Sequence, residues 1–139
     1  MNETPDQEII QAAREVMLKR YIDGKHMVGA AIRTKSGKLF VGVHVEANCG
    51  RISLCAEAVA IGAAATDGDT DISQIVAVTE SGDIIPPCGM CRELISDYSP
   101  DARVVLQAAA GPRCVPVLEL LPEKYDSAKY PNRRKEHAG

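Results

Sequence analysis

The sequence predicts an α/β protein in which a mixed sheet is sandwiched by helices. Two observations carry this. Segments of helical and of strand periodicity follow one another as α-β-β-α-β-α-β, with a further short strand and a closing helix indicated near the C-terminus. Hydrophobic residues make up 45% of the 139 positions while aromatics make up only 4%, so the core must be built from Val, Ile, Leu and Ala. The length suits one domain, expected over 1–126, with 127–139 as a polar tail.

Each element has its own signal. Residues 5–21 place Ile9, Ile10, Ala13, Val16 and Met17 along one face, the spacing of an amphipathic helix, and Asp23-Gly24 is expected to end it. Runs 28–34 and 39–45 are rich in β-formers and flank Lys35-Ser36-Gly37-Lys38, a hairpin signal with Gly37 in the turn. Residues 53–65 are rich in Ala, which predicts a buried helix starting near Cys55 with Ser53 as its N-cap. Run 72–79 reads as a central strand, 89–98 as a short helix stopped at Ser99-Pro100, and 103–109 as another strand. Residues 114–118 read either as a fifth strand or as the entry to a turn over 117–121.

Charge and composition exclude several functions. Net charge is −3 and no dense basic stripe is present, which argues against a phosphate-backbone partner. The basic run Arg133-Arg134-Lys135 lies in the polar tail. No apolar stretch reaches the roughly 20 residues of a membrane span, and the N-terminus lacks the cationic and apolar regions of a signal peptide. Five cysteines without such a signal point to a reducing, cytoplasmic setting and to metal binding rather than disulfides.

The chemistry lies in Cys55-Ala56-Glu57 and, 33 residues after the first cysteine, Pro87-Cys88-Gly89-Met90-Cys91. Three thiolates can hold a zinc ion and leave a fourth position for water, whereas a structural site closes all four. The alternative is a structural knot completed by Cys49 or His44. This order of ligands is a signature of zinc deaminases, in which the glutamate is the acid/base and not a ligand. Glu57 is therefore expected to take a proton from water, deliver it to the ring nitrogen of a cytosine-like base, and pass a second to departing ammonia. Both sets of thiols are expected at helix N-termini, where backbone N–H groups offset their negative charge.

With Val28-Gly29-Ala30-Ala31 and Leu120-Leu121-Pro122, these motifs resemble the cytidine deaminase superfamily over about residues 10–126. Within it, the bacterial type of blasticidin-S deaminase is most similar, through 25–35, Val43-His44 with Glu46-Ala47, Gly50-Arg51, 55–58 and 88–98. The resemblance implies a three-layer α/β/α sandwich with a mixed five-stranded sheet. It implies one Zn²⁺ per subunit, a free nucleoside substrate, and a homotetramer whose active sites border neighbouring subunits. It also places Ala56, His26, His44, Glu46 and Tyr125 at the substrate.

The departures from ordinary cytidine deaminases fall beside the motif. His26 stands where a Phe is usual, His44-Val45-Glu46 where Asn-x-Glu holds ribose hydroxyls, and Ala58 where an arginine balances thiolate charge. Arg92 and Arg51 are the candidate replacement donors to sulfur, and Pro87 shapes the backbone near the metal. The other readings are a surface ion pair for Arg51, a packing residue for Tyr125, and satisfied structural histidines for His26 and His44. The expected activity is deamination of cytidine, deoxycytidine or blasticidin S to the uracil form, the last an antibiotic-resistance role. A pyrimidine-salvage cytidine deaminase and a deaminase of N4-modified cytidines are the alternatives.

Overall fold

A computed structural model describes residues 3–129. Helix α1 spans Gln7–Arg20, shorter than predicted because Asp6 is its N-cap: one carboxylate oxygen accepts the N–H groups of Glu8 and Ile9 at 3.0 and 3.3 Å. The other oxygen takes Arg33 Nε at 2.9 Å, which ties the start of the helix to the sheet. The chain leaves α1 at Tyr21, before Asp23-Gly24, and turns back through an Ile22–His26 bridge.

Strands β1 (Val28–Thr34) and β2 (Leu39–Val43) form the predicted hairpin, with Gly37 at φ 98° in its turn, a conformation open to glycine. Helix α2 (Ala56–Asp67) leads to β3 (Ile72–Thr79), a two-residue strand β4 (Ile84–Ile85) and α3 (Gly89–Tyr98). Strands β5 (Arg103–Ala108) and β6 (Gly111–Pro116) close the sheet. Its order is β2-β1-β3-β5-β6, with β4 beside β3. It thus has six strands where five were expected. Among the described residues only the β3–β5 pair is parallel, and it is joined through the α3 crossover that parallel pairing needs. The fifth predicted strand is present but starts at Gly111, and no closing α-helix follows it among the described residues, where a 3-10 turn, Val117–Leu120, stands instead.

Alternation along the strands builds two cores. Ala30, Ile32, Ile75, Ala77 and Val104 face α2 and α3, whereas Ala31, Val76, Val78 and Val105 face α1. This is the predicted α/β/α sandwich, with an aliphatic interior. No helix among the described residues is long and apolar enough to cross a membrane. The polar segment expected from 127 opens with a 3-10 turn, Ser127–Lys129; Arg133-Arg134-Lys135 lies outside the described residues.

One close approach sets the height of α2 above the sheet. A Cβ on Gly42 of β2 would lie 2.5 Å from Ala60 N and 2.8 Å from Ala56 O, backbone atoms that cannot swing aside. Gly42→Ala is expected to cost at least about 2 kcal/mol, the scale of an overpacked core. Thermal unfolding checks this, and an unchanged midpoint would contradict it.

Candidate active site

Two helix starts meet at the site. Cys55 is the N-cap of α2 and Cys88 the N-cap of α3, and neither makes a side-chain capping bond. Cys91 lies one turn into α3 and is buried. The three sulfurs lie within 4.8 Å of one another, with Cys55 and Cys88 Sγ 3.7 Å apart. Tetrahedral zinc with bonds of about 2.3 Å would hold two thiolates about 3.8 Å apart, so these donors fit the metal.

The electrostatics follow from burial and the helix starts. Burial works against the Cys88 thiolate, yet the Cys91 amide, the neighbouring thiols and the Met90 amide hold its pKa below the usual thiol value. Burial pushes Cys55 up, and it pushes Cys91 far up, with the Glu57 charge adding to the rise. Binding a metal here therefore releases protons from thiols that are otherwise held neutral.

Glu57, the second residue of α2, is only 5% exposed. Burial raises its carboxyl pKa; its own backbone N–H and the Cys91 thiol oppose the rise without cancelling it. A carboxyl group held above its ordinary value suits a residue that must both accept and donate protons near neutrality. It lines a cavity of about 190 Å³ together with Val28, His44, Cys55, Ala56, Ile85, Pro86 and Cys88.

No fourth metal donor joins the cluster among the described residues. Cys49 is exposed in the preceding loop and outside the cluster. Both nitrogens of His44 are engaged elsewhere: Nδ1 accepts Met27 N–H at 3.2 Å and Nε2 lies 2.8 Å from Glu46 Oε2. The closed-knot alternative thus lacks a ligand among the described residues, and a zinc ion held by the three thiolates would keep a position open to water.

The other predicted residues separate into those at the cavity and those set back from it. Ala56 and His44 line it. Glu46 is exposed beside His44, and its hydrogen bonds from His44 and Ser53 hold its carboxyl below the ordinary range. His26 does not line the cavity; its Nδ1–H donates to the His44 carbonyl at 2.8 Å. Tyr125 is 59% exposed and also lies outside the lining.

Neither arginine reaches a sulfur. Arg92 donates from Nε to Pro87 O at 2.9 Å and from Nη1 to Leu120 O at 3.1 Å, fastening the buried Pro87 turn to the 3-10 segment. The expectation of a direct thiolate donor is corrected to a backbone clamp just ahead of Cys88. Arg51 is exposed and has no hydrogen bond or ion pair among the described residues. Nor is Ser53 the N-cap of α2: its hydroxyl is spent on Glu46 and Ala47, and Cys55 occupies the cap. Ile85 in the cavity wall has no signal in the sequence, since a two-residue strand leaves no periodicity.

Known proteins are similar to this chain in sequence and in fold. Residues 3–108 match the cytidine and deoxycytidylate deaminase zinc-binding region. A blasticidin-S deaminase of Bacillus cereus is 45% identical over 128 residues, covering 86% of this chain and 91% of that protein. A cytidine deaminase of Halalkalibacterium halodurans is 31% identical over 119 residues, covering 84% and 90%. The crystal structure of cytidine deaminase from Burkholderia pseudomallei superposes with a TM-score of 0.74 at 30% identity, covering 88% of this chain and all of that one. By sequence and by fold alike, this chain belongs to the cytidine and deoxycytidylate deaminase family and is a zinc-dependent hydrolytic deaminase.

Proposed function

We propose that the enzyme deaminates a free cytosine nucleoside or nucleoside analogue, with blasticidin S the leading candidate, to the uracil form and ammonia. The carrying observation is the placement of buried Glu57 in the wall of the 190 Å³ cavity that Cys55 and Cys88 also line. Zinc bound by Cys55, Cys88 and Cys91 supplies an acidified water at neutral pH. Glu57 removes that water's proton and returns it to ring N3 as the attack on the amino-bearing carbon proceeds. The same carboxylate then takes the proton of the hydroxyl newly added at that carbon and passes it to the amino group, which leaves as ammonia while the carbonyl of the uracil form is made. The apolar walls, Val28, Ala56, Ile85 and Pro86, suit a planar pyrimidine.

The 45% identity to a blasticidin-S deaminase favours the antibiotic over cytidine, and an antibiotic-resistance role follows from that preference. Residues 1–126 act as one catalytic domain in this reading, and the enzyme works in the cytoplasm as a homotetramer. Exposed apolar side chains in the segments carrying the site support assembly: Ile22, Val45, Ile52, Leu54 and Met90, the last 81% exposed. His26 and Tyr125, set back from the cavity in one chain, would then act across or near a subunit border.

Absorbance assays against cytidine, deoxycytidine and blasticidin S, run with zinc analysis, test the substrate. Turnover of blasticidin S with the highest kcat/KM is expected; turnover of cytidine alone would reverse the preference. Faster deamination of single-stranded nucleic acid than of any free nucleoside would overturn the reading. Light scattering of the purified enzyme tests assembly, and a monomer at micromolar concentration would overturn the tetramer.

A further inference from the structure

Glu46 is held at both carboxylate oxygens. His44 takes the Met27 N–H on Nδ1, so its own proton resides on Nε2 and is donated to Glu46 Oε2 at 2.8 Å. Ser53 Oγ accepts the Ala47 N–H at 3.0 Å, and its hydroxyl proton turns to Glu46 Oε1 at 2.8 Å; the Ala47 carbonyl is farther, at 3.5 Å. The ring of His44 has no nitrogen left for a ligand. The carboxylate, with about four acceptor positions, has used two. His44 lines the cavity and Glu46 is exposed directly beside it.

We infer that Ser53 and His44 are positioning residues that hold Glu46 as a fixed acceptor for a donor on the non-pyrimidine part of the substrate. The donor is a hydroxyl or a cationic nitrogen, which the same carboxylate accepts. The resemblance already places both Glu46 and His44 at the substrate; what is added is that His44 acts through Glu46, its ring nitrogens being engaged by Met27 and Glu46. Ser53 is the second added part. Pinned to Ala47, it also joins the Glu46 loop to the segment entering α2, where a serine and a carboxylate seven residues apart in sequence meet. Fixing an acceptor before binding removes the cost of ordering it afterwards, which appears in KM rather than kcat.

The inference rests on the nucleoside reading, and its test is built so that the two fail separately. On the nucleoside that the wild-type enzyme turns over, Ser53→Ala is expected to raise KM roughly three- to tenfold, the worth of one hydrogen bond to a charged group, with kcat within about twofold. Ser53→Thr, which keeps the hydroxyl, should restore KM. Ser53→Ala added to Glu46→Gln should cost clearly less than the sum of the two single losses, since the part of the Ser53 effect that runs through Glu46 is already gone. A 2′,3′-dideoxynucleoside should be insensitive to Ser53→Ala if the donor is a ribose hydroxyl; a KM rise that shrinks with added salt instead marks a cationic donor. An unchanged KM in Ser53→Ala, or additive losses in the double variant, overturns the inference. Nitrogen-15 NMR of the His44 ring tests the clamp without turnover: a proton on Nε2 is expected, and one on Nδ1 overturns it.

Discussion

Glu57→Gln is expected to lower kcat at least a thousandfold while zinc content and fold are kept. The amide has the shape of the carboxylic acid but cannot carry a proton between water, ring nitrogen and ammonia, so every proton transfer is lost together. The fold should tolerate the change. Burial pushes the Glu57 carboxyl pKa up, which means that the charged form is disfavoured where it sits. A neutral amide removes that penalty, so the unfolding midpoint at neutral pH should hold or rise. Steady-state kinetics, metal analysis and thermal unfolding on one preparation make the test. A kcat within tenfold of wild type would remove Glu57 from the mechanism.

Cys88→Ser is expected to abolish both zinc binding and activity. A serine hydroxyl does not ionise near neutrality, whereas the Cys91 and Met90 amides and the neighbouring thiols hold the Cys88 pKa below the usual thiol value and so favour the thiolate a metal needs. With two thiols left of three, affinity should fall by three orders of magnitude or more, about 4 kcal/mol. Because metal stabilises only the folded chain, the zinc-saturated midpoint should fall with it. A variant that retains one zinc per chain would show that the ion is held elsewhere. The pair of variants separates two functions: Glu57→Gln leaves the metal and loses the chemistry, and Cys88→Ser loses both.

Much of the architecture was legible in the chain. The helix predicted over 89–98 is α3 itself, since Gly89 follows a capping position and Pro100 follows its end. The hairpin is set by Gly37, whose φ of 98° is the turn conformation that other residues avoid. Both thiol sets stand at helix N-termini as expected. The misreadings share a cause. Ser53 is a better N-cap than Cys55 by local preference, yet the cap position went to the residue that faces Cys88, and the serine found a partner in Glu46. Arg92 is by chemistry a suitable donor to sulfur, yet two backbone carbonyls take its Nε and Nη1.

Reaction and metal could be read along the chain because they depend on residue type and spacing: three thiols and a glutamate carry the same chemistry wherever a helix start presents them. Partners of neutral polar groups could not. A hydroxyl, an imidazole or a guanidinium accepts many partners of similar energy, and proximity in space chooses among them. That choice placed His44 between Met27 and Glu46, turned Ser53 toward the same carboxylate, and put Ile85 and Pro86 in the cavity wall. The zinc-dependent deaminase reaction is thus legible in residue type and spacing, while the cavity wall and the bonds that hold Glu46 arise where strands, loops and helix starts distant in sequence converge.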